Sequence, residues 1–490
     1  MKSKQTLSIE DNRKEKLLEP YKQEEIKFLD EFPDYIKTKK LDDLRQTDFE
    51  RLNRLGQVYL DYTGAGLYGE SQLKEHLSLL SNNVFGNPHS SNPTSLAATK
   101  LVDRARAYVL KFFNASADEY VCIFTKNASE SLKLVGESYP FGDGNDYLLT
   151  FDNHNSVNGI REFARAKGAK VSYIPMTVPE LRMDKEKTQQ FLKQKGSGKN
   201  HLFAYPAQSN LSGVQHSLDW IETAQAEGWD VLLDGAAFVP TNRLDLSQVH
   251  PDFVSLSFYK MFGYPTGVGA LLARRAVLQK LNRPWFAGGT ITVASVQGDK
   301  HFLHSGSEGF EDGTLNFLTL PAIEIGLRYI EQAGIETIHQ RVTLLTGWLL
   351  NKMTGLRHNN GKPVVSIYGP KDIHQHGGTI SFNFFDQNGH FIDHLAVERK
   401  ANQRNISLRT GCFCNPGGGE QALGLSPLEL KTCFGLKPAF EYQDLRECII
   451  QDKSTGAVRI SVGLASTFKD VYEFIDFAQQ FVDKDAADMQ

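Results

Sequence analysis

The chain has 490 residues, of which 40% are hydrophobic and 23% are charged, and its formal net charge is −4. This composition is ordinary for a globular protein with a large core, and it lacks the basic excess that binds nucleic acids or anionic membranes. The polar start MKSKQTLSIE predicts no secretory signal. No apolar run reaches the roughly 18–20 residues of a membrane helix, so neither a membrane nor a nucleic-acid partner is expected.

The cysteines are few and odd in number: Cys122, Cys412, Cys414, Cys433 and Cys448. Such a set in a long chain is typical of free thiols rather than of a disulfide framework, and it favours a cytoplasmic location. Cys412 and Cys414 are too close for an easy disulfide, and nothing completes a zinc pattern, so no metal site is expected.

The first part of the chain predicts an N-terminal arm followed by an α/β domain. Residues 1–50 are charge-dense, with an amphipathic stretch around Lys22–Tyr35. From Gln57 onward, strand and helix signals alternate over roughly 200 residues, which predicts a mainly parallel sheet with helices on both faces. The strand signals are QVYLDY, VCIFT, DYLLTF, KVSYIP, HLFAYP, WDVLLDG, DFVSLS and GVGALLA, and helices are predicted at Ser95–Phe113, from Ser129, from Ser156 and near Trp220.

The last third of the chain predicts a second, smaller domain. Helical patterns at Leu320–Gln332 and Ile335–Met353 lead away from the sheet. The strand signals VVSIY, GTISFNFF, ISLRTG and AVRISVG and a final helix from Lys469 then predict an α+β unit, with the glycines at 417–419 in a loop. We therefore divide the chain into an N-terminal arm (1–50), a large α/β domain (51–330) and a small C-terminal domain (331–490).

Two residues at strand ends predict a cofactor site. Asp234 ends the strand signal VLLD, and Lys260 follows DFVSLS in a loop rich in glycine and proline. Parallel α/β sheets bind ligands at the carboxyl ends of their strands. A pyridoxal phosphate (PLP) enzyme needs a lysine to form an imine with the cofactor and a carboxylate to keep the pyridine nitrogen protonated. Taken singly, Asp234 is more often a helix cap and Lys260 a solvated lysine.

A phosphate site is predicted at the turn after the strand VCIFT. Residues 126–128 form a tight turn, and Ser129 begins a helix. Such a turn directs backbone N–H groups and the positive end of the helix at an anion, and Ser257 can add a second hydroxyl. Serine followed by glutamate is also an ordinary helix start, so this signal is weak alone.

Two further strand ends carry polar side chains. His154 follows DYLLTF and can stack on a planar ring or move protons. Asn210 follows HLFAYP, where an asparagine that forms a turn is the alternative. A lone histidine is likewise more often structural, so both residues gain weight only from their neighbours.

The segment RTGCFCNPGGGE places two thiols, Cys412 and Cys414, in a loop near Arg409. Nearby positive charge lowers a thiol pKa from ~8.5 and yields a strong nucleophile, although inert loop thiols are the alternative. In an extended loop the two thiols would point to opposite sides, so that only one faces a substrate. Gly411 and the glycines at 417–419 would let the loop swing.

From Val58 to Phe477 the chain resembles class V aminotransferase-fold proteins, and more narrowly the cysteine desulfurase-like domain of molybdenum cofactor sulfurases. The resemblance implies the PLP-dependent transferase fold type I. This fold has a large α/β domain with a mainly parallel seven-stranded sheet, a small C-terminal α+β domain, and a site between them. The strings that carry it are YLDYTGAGLYG, NPHS at 87–90, YPAQSNLSG, LDGAAFVPT, PDFVSLSFYKMFGYPTGVGALLAR, GGT at Gly288–Thr290, EDGTLNF and RTGCFCNPG.

The resemblance also assigns roles to single residues. Those that would hold PLP are Lys260 (Schiff base), Asp234 (pyridinium nitrogen), His154 (ring stacking), Asn210 (phenolic oxygen), and Ala128, Ser129 and Ser257 (phosphate). Thr314 is similar to a phosphate ligand that a partner subunit lends, which implies a homodimer. Arg459 is similar to the arginine that binds the substrate carboxylate, and Cys414 to the cysteine that forms a persulfide.

The implied reaction is cysteine desulfuration, with catalytic roles for Lys260, His154 and Cys414. L-cysteine would lose its sulfur to Cys414, leaving alanine and a persulfide that an acceptor consumes. One alternative is another PLP-dependent lyase or epimerase, in which the loop thiols do not react. The other is a non-catalytic scaffold for sulfur relay, which would need neither Lys260 nor Asp234.

Several positions depart from the pattern of many cysteine desulfurases. Ala237 and Tyr259 replace a glutamine and a histidine, as in the molybdenum cofactor sulfurase branch, but the further cysteine of that branch after NPG is missing. The sequence ends at Gln490, before the domain that binds the molybdenum cofactor in full-length sulfurases. The acceptor is therefore left open, and a separate molybdenum cofactor-binding protein is one candidate.

Overall fold

The computed structural model describes residues 19–88, 90–449 and 453–489. The first 18 residues of the predicted arm, and position 89 of the NPHS string, lie outside the described residues. The described strands are β1 (Val58–Tyr59), β2 (Tyr120–Thr125), β3 (Asp146–Thr150), β4 (Lys170–Ile174), β5 (His201–Pro206), β6 (Trp229–Asp234), β7 (Phe253–Ser257), β8 (Gly269–Arg274), β9 (Ile291–Ser295), β10 (Lys300–Leu303), β11 (Val365–Tyr368), β12 (Thr379–Phe384), β13 (Ile406–Ser407), β14 (Arg409–Gly411) and β15 (Ala457–Ser461).

The central sheet has seven strands in the order β2-β8-β7-β6-β5-β3-β4. All neighbouring strands are parallel except β8, which is antiparallel to both β2 and β7. Every residue of β3, β5, β6 and β7 is buried, as expected of strands that are covered on both faces. The predicted fold class, with a seven-stranded and mainly parallel sheet, is confirmed.

Helices cover both faces of this sheet. Val121 and Ile123 of β2 belong to one apolar core, whereas Cys122 and Phe124 belong to another, because successive side chains of a strand point to opposite faces. Within the described residues, no helix is both long and apolar enough to cross a membrane. The helices are α1 (residues 19–31), α2 (Lys40–Asp48), α3 (Glu50–Arg54), α4 (Glu70–Ser81), α5 (Pro93–Phe112), α6 (Ala128–Ser138), α7 (Asn155–Asn158), α8 (Ile160–Ala166), α9 (Lys185–Lys193), α10 (Asp219–Ala226), α11 (Phe258–Phe262), α12 (Arg275–Leu278), α13 (Pro321–Ala333), α14 (Ile335–Gly355), α15 (His394–Asn402), α16 (Pro416–Ala422), α17 (Pro427–Phe434), α18 (Tyr442–Cys448) and α19 (Phe468–Gln479), with 3-10 helices at Pro33–Thr38, Ser307–Phe310 and Ala486–Met489.

Two local predictions about helices need correction. The helix predicted from Ser156 is split at Gly159 into α7 and α8. The glycines at 417–419 lie in α16 rather than in a loop. Asn415 caps this helix by accepting a hydrogen bond from the Gly418 N–H, and a proline occupies the first helical position. These two start signals outweigh the low helix propensity of glycine.

The small domain is built on a four-stranded antiparallel sheet in the order β11-β12-β15-β14. Helix α1 of the N-terminal arm packs on this domain, where the Phe28 ring stacks on Phe468 with 4.4 Å between ring centroids. β1 pairs in parallel with β13, and Asp61 forms a parallel bridge to Ser461, the last residue of β15. A segment that precedes the large sheet in sequence is therefore held by the small domain. The domain boundaries at residues 50 and 330 stay a prediction.

Cys433 and Cys448 form a disulfide, so the prediction that all the cysteines are free thiols is wrong for this pair. Helices α17 and α18 contact one another and bring the two Cα atoms to 5.8 Å. The sequence separation of 15 residues did not reveal the pairing, because it arises from the contact between two helices. Cys122, Cys412 and Cys414 are free.

Candidate active site

A cavity of about 370 Å³ opens at the carboxyl ends of the central strands. Its volume lies in the range of roughly 300–1,000 Å³ that is typical of small-molecule sites. Parallel pairing explains why residues from distant parts of the sequence meet here, since each follows or ends a strand of the same sheet. The predicted residues that line this cavity are Ala128, Ser129, His154, Asn210, Asp234, Ser257 and Lys260.

Asp234 is the last residue of β6 and is buried. Its Oδ1 accepts hydrogen bonds from the Ser255 hydroxyl at 2.9 Å and from the Ala236 N–H at 3.1 Å. These bonds hold the carboxylate in one orientation. Among the described residues, no protein donor binds Oδ2, which leaves this oxygen for a ligand in the cavity.

Lys260 lies on α11, directly after β7. Protein atoms surround the side chain except where it faces the cavity. This burial penalises the charged ammonium form and therefore lowers the pKa of Lys260. The nearby Asp234 carboxylate opposes the shift. The neutral amine, which is the form that attacks an aldehyde, is thereby favoured.

His154 begins α7 as its N-cap residue. Its Nδ1 accepts a hydrogen bond from the Ser156 N–H at 3.1 Å, so the proton of the neutral ring resides on Nε2. Burial lowers the pKa of His154, and the Asp234 carboxylate opposes this effect. A neutral, fixed imidazole on the cavity wall suits the predicted stacking role.

The predicted phosphate turn begins α6. The Asn127 side chain accepts a hydrogen bond from the Glu130 N–H at 2.9 Å and caps the helix. As in every helix, the first N–H groups, here those of Ala128 and Ser129, have no partner inside the helix and can bind an anion. Ser257 is buried at the end of β7 on the same cavity.

Sequence reasoning missed two residues that contact this turn, Ser156 of α7 and Gly269 of β8. The Ser156 hydroxyl lies 2.6 Å from the Ser129 hydroxyl, and Ser156 also lines the cavity. Ser156 lies at the start of the helix that follows β3, two residues after His154, just as Ser129 lies at the start of the helix that follows β2. This repeated pattern could have identified Ser156 as a residue of the site. Gly269 is required because a Cβ atom there would lie 2.6 Å from the carbonyl carbon of Asn127.

Arg459 lies on β15 and is only 3% exposed. Its Nη2 donates to Asp61 Oδ1 at 3.0 Å, and its Nη1 donates to the backbone oxygen of Asn210 at 2.9 Å. Burial lowers the pKa of Arg459, and the Asp61 carboxylate opposes this effect. The buried Nε–H has no partner among the described residues, so Arg459 retains a donor for a carboxylate ligand.

Asp61 was missed from the sequence, although it binds two arginines. On its other side it accepts from Arg409 Nη2 at 2.6 Å. This hydrogen bond raises the pKa of Arg409. Arg409, which the sequence placed near the thiols, is thus held by Asp61 and makes no hydrogen bond to either thiol among the described residues.

The two loop thiols differ in their surroundings. The Cys412 thiol donates to the Thr455 backbone oxygen at 3.3 Å, and burial raises its pKa. Cys414 is exposed, and its backbone oxygen accepts from the N–H of Asn155, the residue after His154, at 2.7 Å. The loop is not extended as predicted, because Phe413 and Cys414 have φ angles of 55° and 54°.

Thr314 does not line the main cavity. It is exposed and lines a neighbouring cavity of about 250 Å³, which shares Lys126 and Gly267 with the first. Its predicted role as a phosphate ligand for a partner subunit stays a prediction.

Comparison with known proteins places this geometry in a family. Residues 58–474 match the class V aminotransferase family. The chain belongs to this family.

Among relatives, a molybdenum cofactor sulfurase from Solanum lycopersicum is 38% identical over 491 residues, which cover 93% of this chain and 59% of the relative. One from Homo sapiens is 37% identical and covers 89% of this chain and 51% of the relative. The chain thus spans between half and three fifths of the length of these relatives. This class V aminotransferase therefore matches only part of each full-length sulfurase.

Solved structures of cysteine desulfurases share the fold. The structure of the enzyme from Thermococcus onnurineus has a TM-score of 0.74 at 25% identity and covers 90% of this chain and 97% of that one. A cysteine desulfurase from Escherichia coli has a TM-score of 0.68 at 19% identity and covers 92% of this chain and 98% of that one. The type I fold predicted from the sequence is confirmed.

The site of this class V aminotransferase fits PLP, the cofactor that the family assignment identifies. PLP has a pyridine nitrogen, an aldehyde and a phosphate. The cavity offers each a matching group, namely the free Oδ2 of Asp234, the amine of Lys260 and the start of α6 with Ser129.

The lowered pKa of Lys260 predicts a pH-dependent effect of Lys260→Met on the free energy of unfolding of the PLP-free protein. The unfolded chain holds the lysine proton up to about pH 10.4, whereas the folded chain releases it at lower pH. The wild type therefore gains stability as the pH rises through this window. Lys260→Met should be the more stable protein at pH 6, and its advantage should disappear as the pH approaches about 10.4.

Urea unfolding of both proteins at a series of pH values measures this difference. Lys185→Met, at an exposed lysine, is the matched control and should show no such trend. An advantage of Lys260→Met that stays constant or grows with pH would contradict the assigned burial effect.

Proposed function

We propose that the chain is a PLP-dependent cysteine desulfurase that transfers the sulfur of L-cysteine to Cys414. The observation that carries the proposal is the exposed Cys414, whose backbone oxygen accepts from the N–H of Asn155, next to His154 in the wall of the cavity that contains Lys260 and Asp234. The similarity to molybdenum cofactor sulfurases and to cysteine desulfurases supports the same reaction.

The residues of the chain would divide the work as follows. Bound PLP supplies an electron sink that stabilises negative charge at the substrate Cα. Arg459 would hold the substrate carboxylate through its free Nε–H, and the neutral amine of Lys260 would take the proton from Cα. His154 would keep the ring in place from one face.

Sulfur transfer then needs a nucleophile at the substrate sulfur. The Cys414 thiolate would form a sulfur–sulfur bond while the bond between the substrate Cβ and its sulfur breaks. The electron pair of the broken bond stays with the carbon skeleton, which takes up a proton and leaves as alanine. The products are alanine and a Cys414 persulfide, and the step requires no external oxidant.

The two alternatives make different use of these residues. A non-catalytic relay scaffold would have no need for a cavity with Asp234 and Lys260. A lyase or epimerase would use the same cavity but would leave the thiol of Cys414 idle. The contribution of this thiol to turnover therefore separates the functions.

Substitution of each thiol provides that test. Cys414→Ser should keep the PLP absorbance and its change on addition of L-cysteine, because neither needs the thiol, but it should lose at least about 10²-fold in alanine formation. Cys412→Ser, the matched control in the same loop, should keep most of the activity. Alanine release and mass spectrometry of the loop peptide measure both effects. A persulfide on Cys412, or full activity of the double variant, would overturn the assignment.

The acceptor and the compartment are part of the proposal. Because Cys414 is exposed, an acceptor can take the sulfur at the surface, and a separate molybdenum cofactor-binding protein is a candidate. We place this reaction in the cytoplasm, whose reducing thiol pool would keep Cys414 available between turnovers; the Cys433–Cys448 disulfide, which the same pool tends to reduce, argues against this location.

We also propose a homodimer. The hairpin of β9 and β10 exposes Val293 by 56%, Val296 by 100% and Phe302 by 52%. Apolar side chains grouped on an exposed hairpin favour a surface that another molecule covers. Thr314 lies exposed in the cavity beside the phosphate turn, where a second copy would have access to it.

The homodimer predicts that the PLP-loaded protein sediments as a dimer and that Thr314→Ala weakens PLP binding. Loss of one hydrogen bond to a charged phosphate should raise the dissociation constant by roughly 10–100-fold. Thr432→Ala, at an exposed threonine of α17, is the control and should bind PLP normally. A fully active monomer with bound PLP would contradict the proposal.

A further inference from the structure

The loop that carries Cys414 is in a conformation that needs support. Phe413 and Cys414 are consecutive non-glycine residues in the left-handed region, which is strained for L side chains and persists only where the surroundings impose it. Two hydrogen bonds to backbone oxygens contribute, one from the Asn155 backbone N–H to Cys414 and one from the Asn210 side-chain amide to Phe413, both at 2.7 Å. The Arg459 guanidinium also lies 4.8 Å from the centre of the Phe413 ring.

Asn415, the residue after Cys414, ties this loop to the large domain. Its side chain is fully buried, with 0% exposure. Nδ2 donates to the backbone oxygen of Asp152 at 2.7 Å and to Asn210 Oδ1 at 2.9 Å, while Oδ1 accepts from the Gly418 N–H at 3.1 Å. The orientation of the amide is fixed, because the Asp152 oxygen can only accept and the Gly418 N–H can only donate.

The partners of Asn415 belong to segments that carry cofactor residues. Asp152 precedes His154 after β3, and Asn210 lines the cavity after β5. Asn210 Nδ2 has two N–H groups and gives one of them to Phe413. No described residue takes the other, which leaves it for a ring oxygen of the cofactor. Asn210 is thus shared between the cavity and the loop.

We propose that Asn415 is a positioning residue, which acts through Asn210 and Asp152 to hold Cys414 in place for attack on the substrate sulfur. The inference rests on the proposed role of Cys414 as the nucleophile. In place of a freely swinging loop, the structure has a docked one, and its release requires the two hydrogen bonds that the buried Asn415 amide donates to Asp152 and Asn210 to break.

The substitution Asn415→Asp isolates this role. It keeps the shape of the side chain and the oxygen that caps α16, but it replaces the two N–H donors by an oxygen that faces the Asp152 and Asn210 oxygens. The maximal rate of alanine formation should fall by about 10²-fold, because a small misplacement of a reacting group has that effect. The L-cysteine concentration at half-maximal rate and the PLP absorbance should change little.

A second readout does not depend on turnover. In the PLP-free protein, amide hydrogen exchange in the segment 411–418 should become about tenfold faster or more in Asn415→Asp, because the docked loop opens more often.

Asn92→Asp is the matched control, since Asn92 caps α5 in the same way and is exposed. It should change neither the rate of alanine formation nor the exchange. Asn415→Ser retains only a short acceptor for the helix cap and should behave like Asn415→Asp. It provides a second test in case Asn415→Asp does not fold.

The outcomes separate the inference from the function on which it rests. Wild-type alanine formation and unchanged exchange in both Asn415 variants would overturn the positioning role. The positioning role would also be overturned if PLP absorbance or L-cysteine binding fell as much as the rate of alanine formation. Asn415 would then support the fold of the whole site and not the position of Cys414. Alanine formation that survives in Cys414→Ser would instead contradict the role of Cys414 as the nucleophile. The exchange measurement would still decide whether Asn415 holds the loop in place.

Discussion

The parallel pairing of β5, β6 and β7 is the constraint on which the site depends. The register sets Asp234 opposite Ser255, and the Ser255 hydroxyl fixes one oxygen of the carboxylate. The same strand β7 leads directly into α11, which carries Lys260. A shift of one residue in this register would turn Asp234 to the other face of the sheet and separate it from the cavity.

Residues of the small domain also contact the segments that form the site. Arg459 reaches from β15 to the backbone of Asn210, and Asp61 holds both Arg459 and Arg409. Asn415 ties the loop with Cys414 to Asp152 and Asn210, in the segments that follow β3 and β5. Substrate binding and sulfur transfer would therefore depend on residues that the large domain does not supply, and the contact between the domains becomes part of the chemistry.

Residues at strand ends could be predicted from the sequence, whereas residues joined by long-range contacts could not. Asp234 and Lys260 follow strongly apolar strands, and a parallel sheet brings such ends together. Asp61 was missed because its partners Arg459 and Arg409 are 398 and 348 residues away. The disulfide between Cys433 and Cys448 was missed for a similar reason, since it depends on how two helices pack.

The loop thiols show where local reasoning fails in a different way. Spacing alone predicted an extended, swinging segment. The structure instead has left-handed backbone at Phe413 and Cys414. Asn415 caps helix α16, which includes three glycines although glycine has a low helix propensity. Capping and tertiary hydrogen bonds decided the outcome, and neither can be weighed from composition.

Reduction of the PLP-loaded protein with borohydride, followed by peptide mass mapping, tests the central claim most directly. One covalent pyridoxyl adduct is expected, on Nζ of Lys260, and it should be lost in Lys260→Ala. Lys126 lines the same cavity and serves as an internal comparison, which should stay unmodified. An adduct on Lys126 or on any other lysine, with Lys260 unmodified, would contradict the assignment of the site.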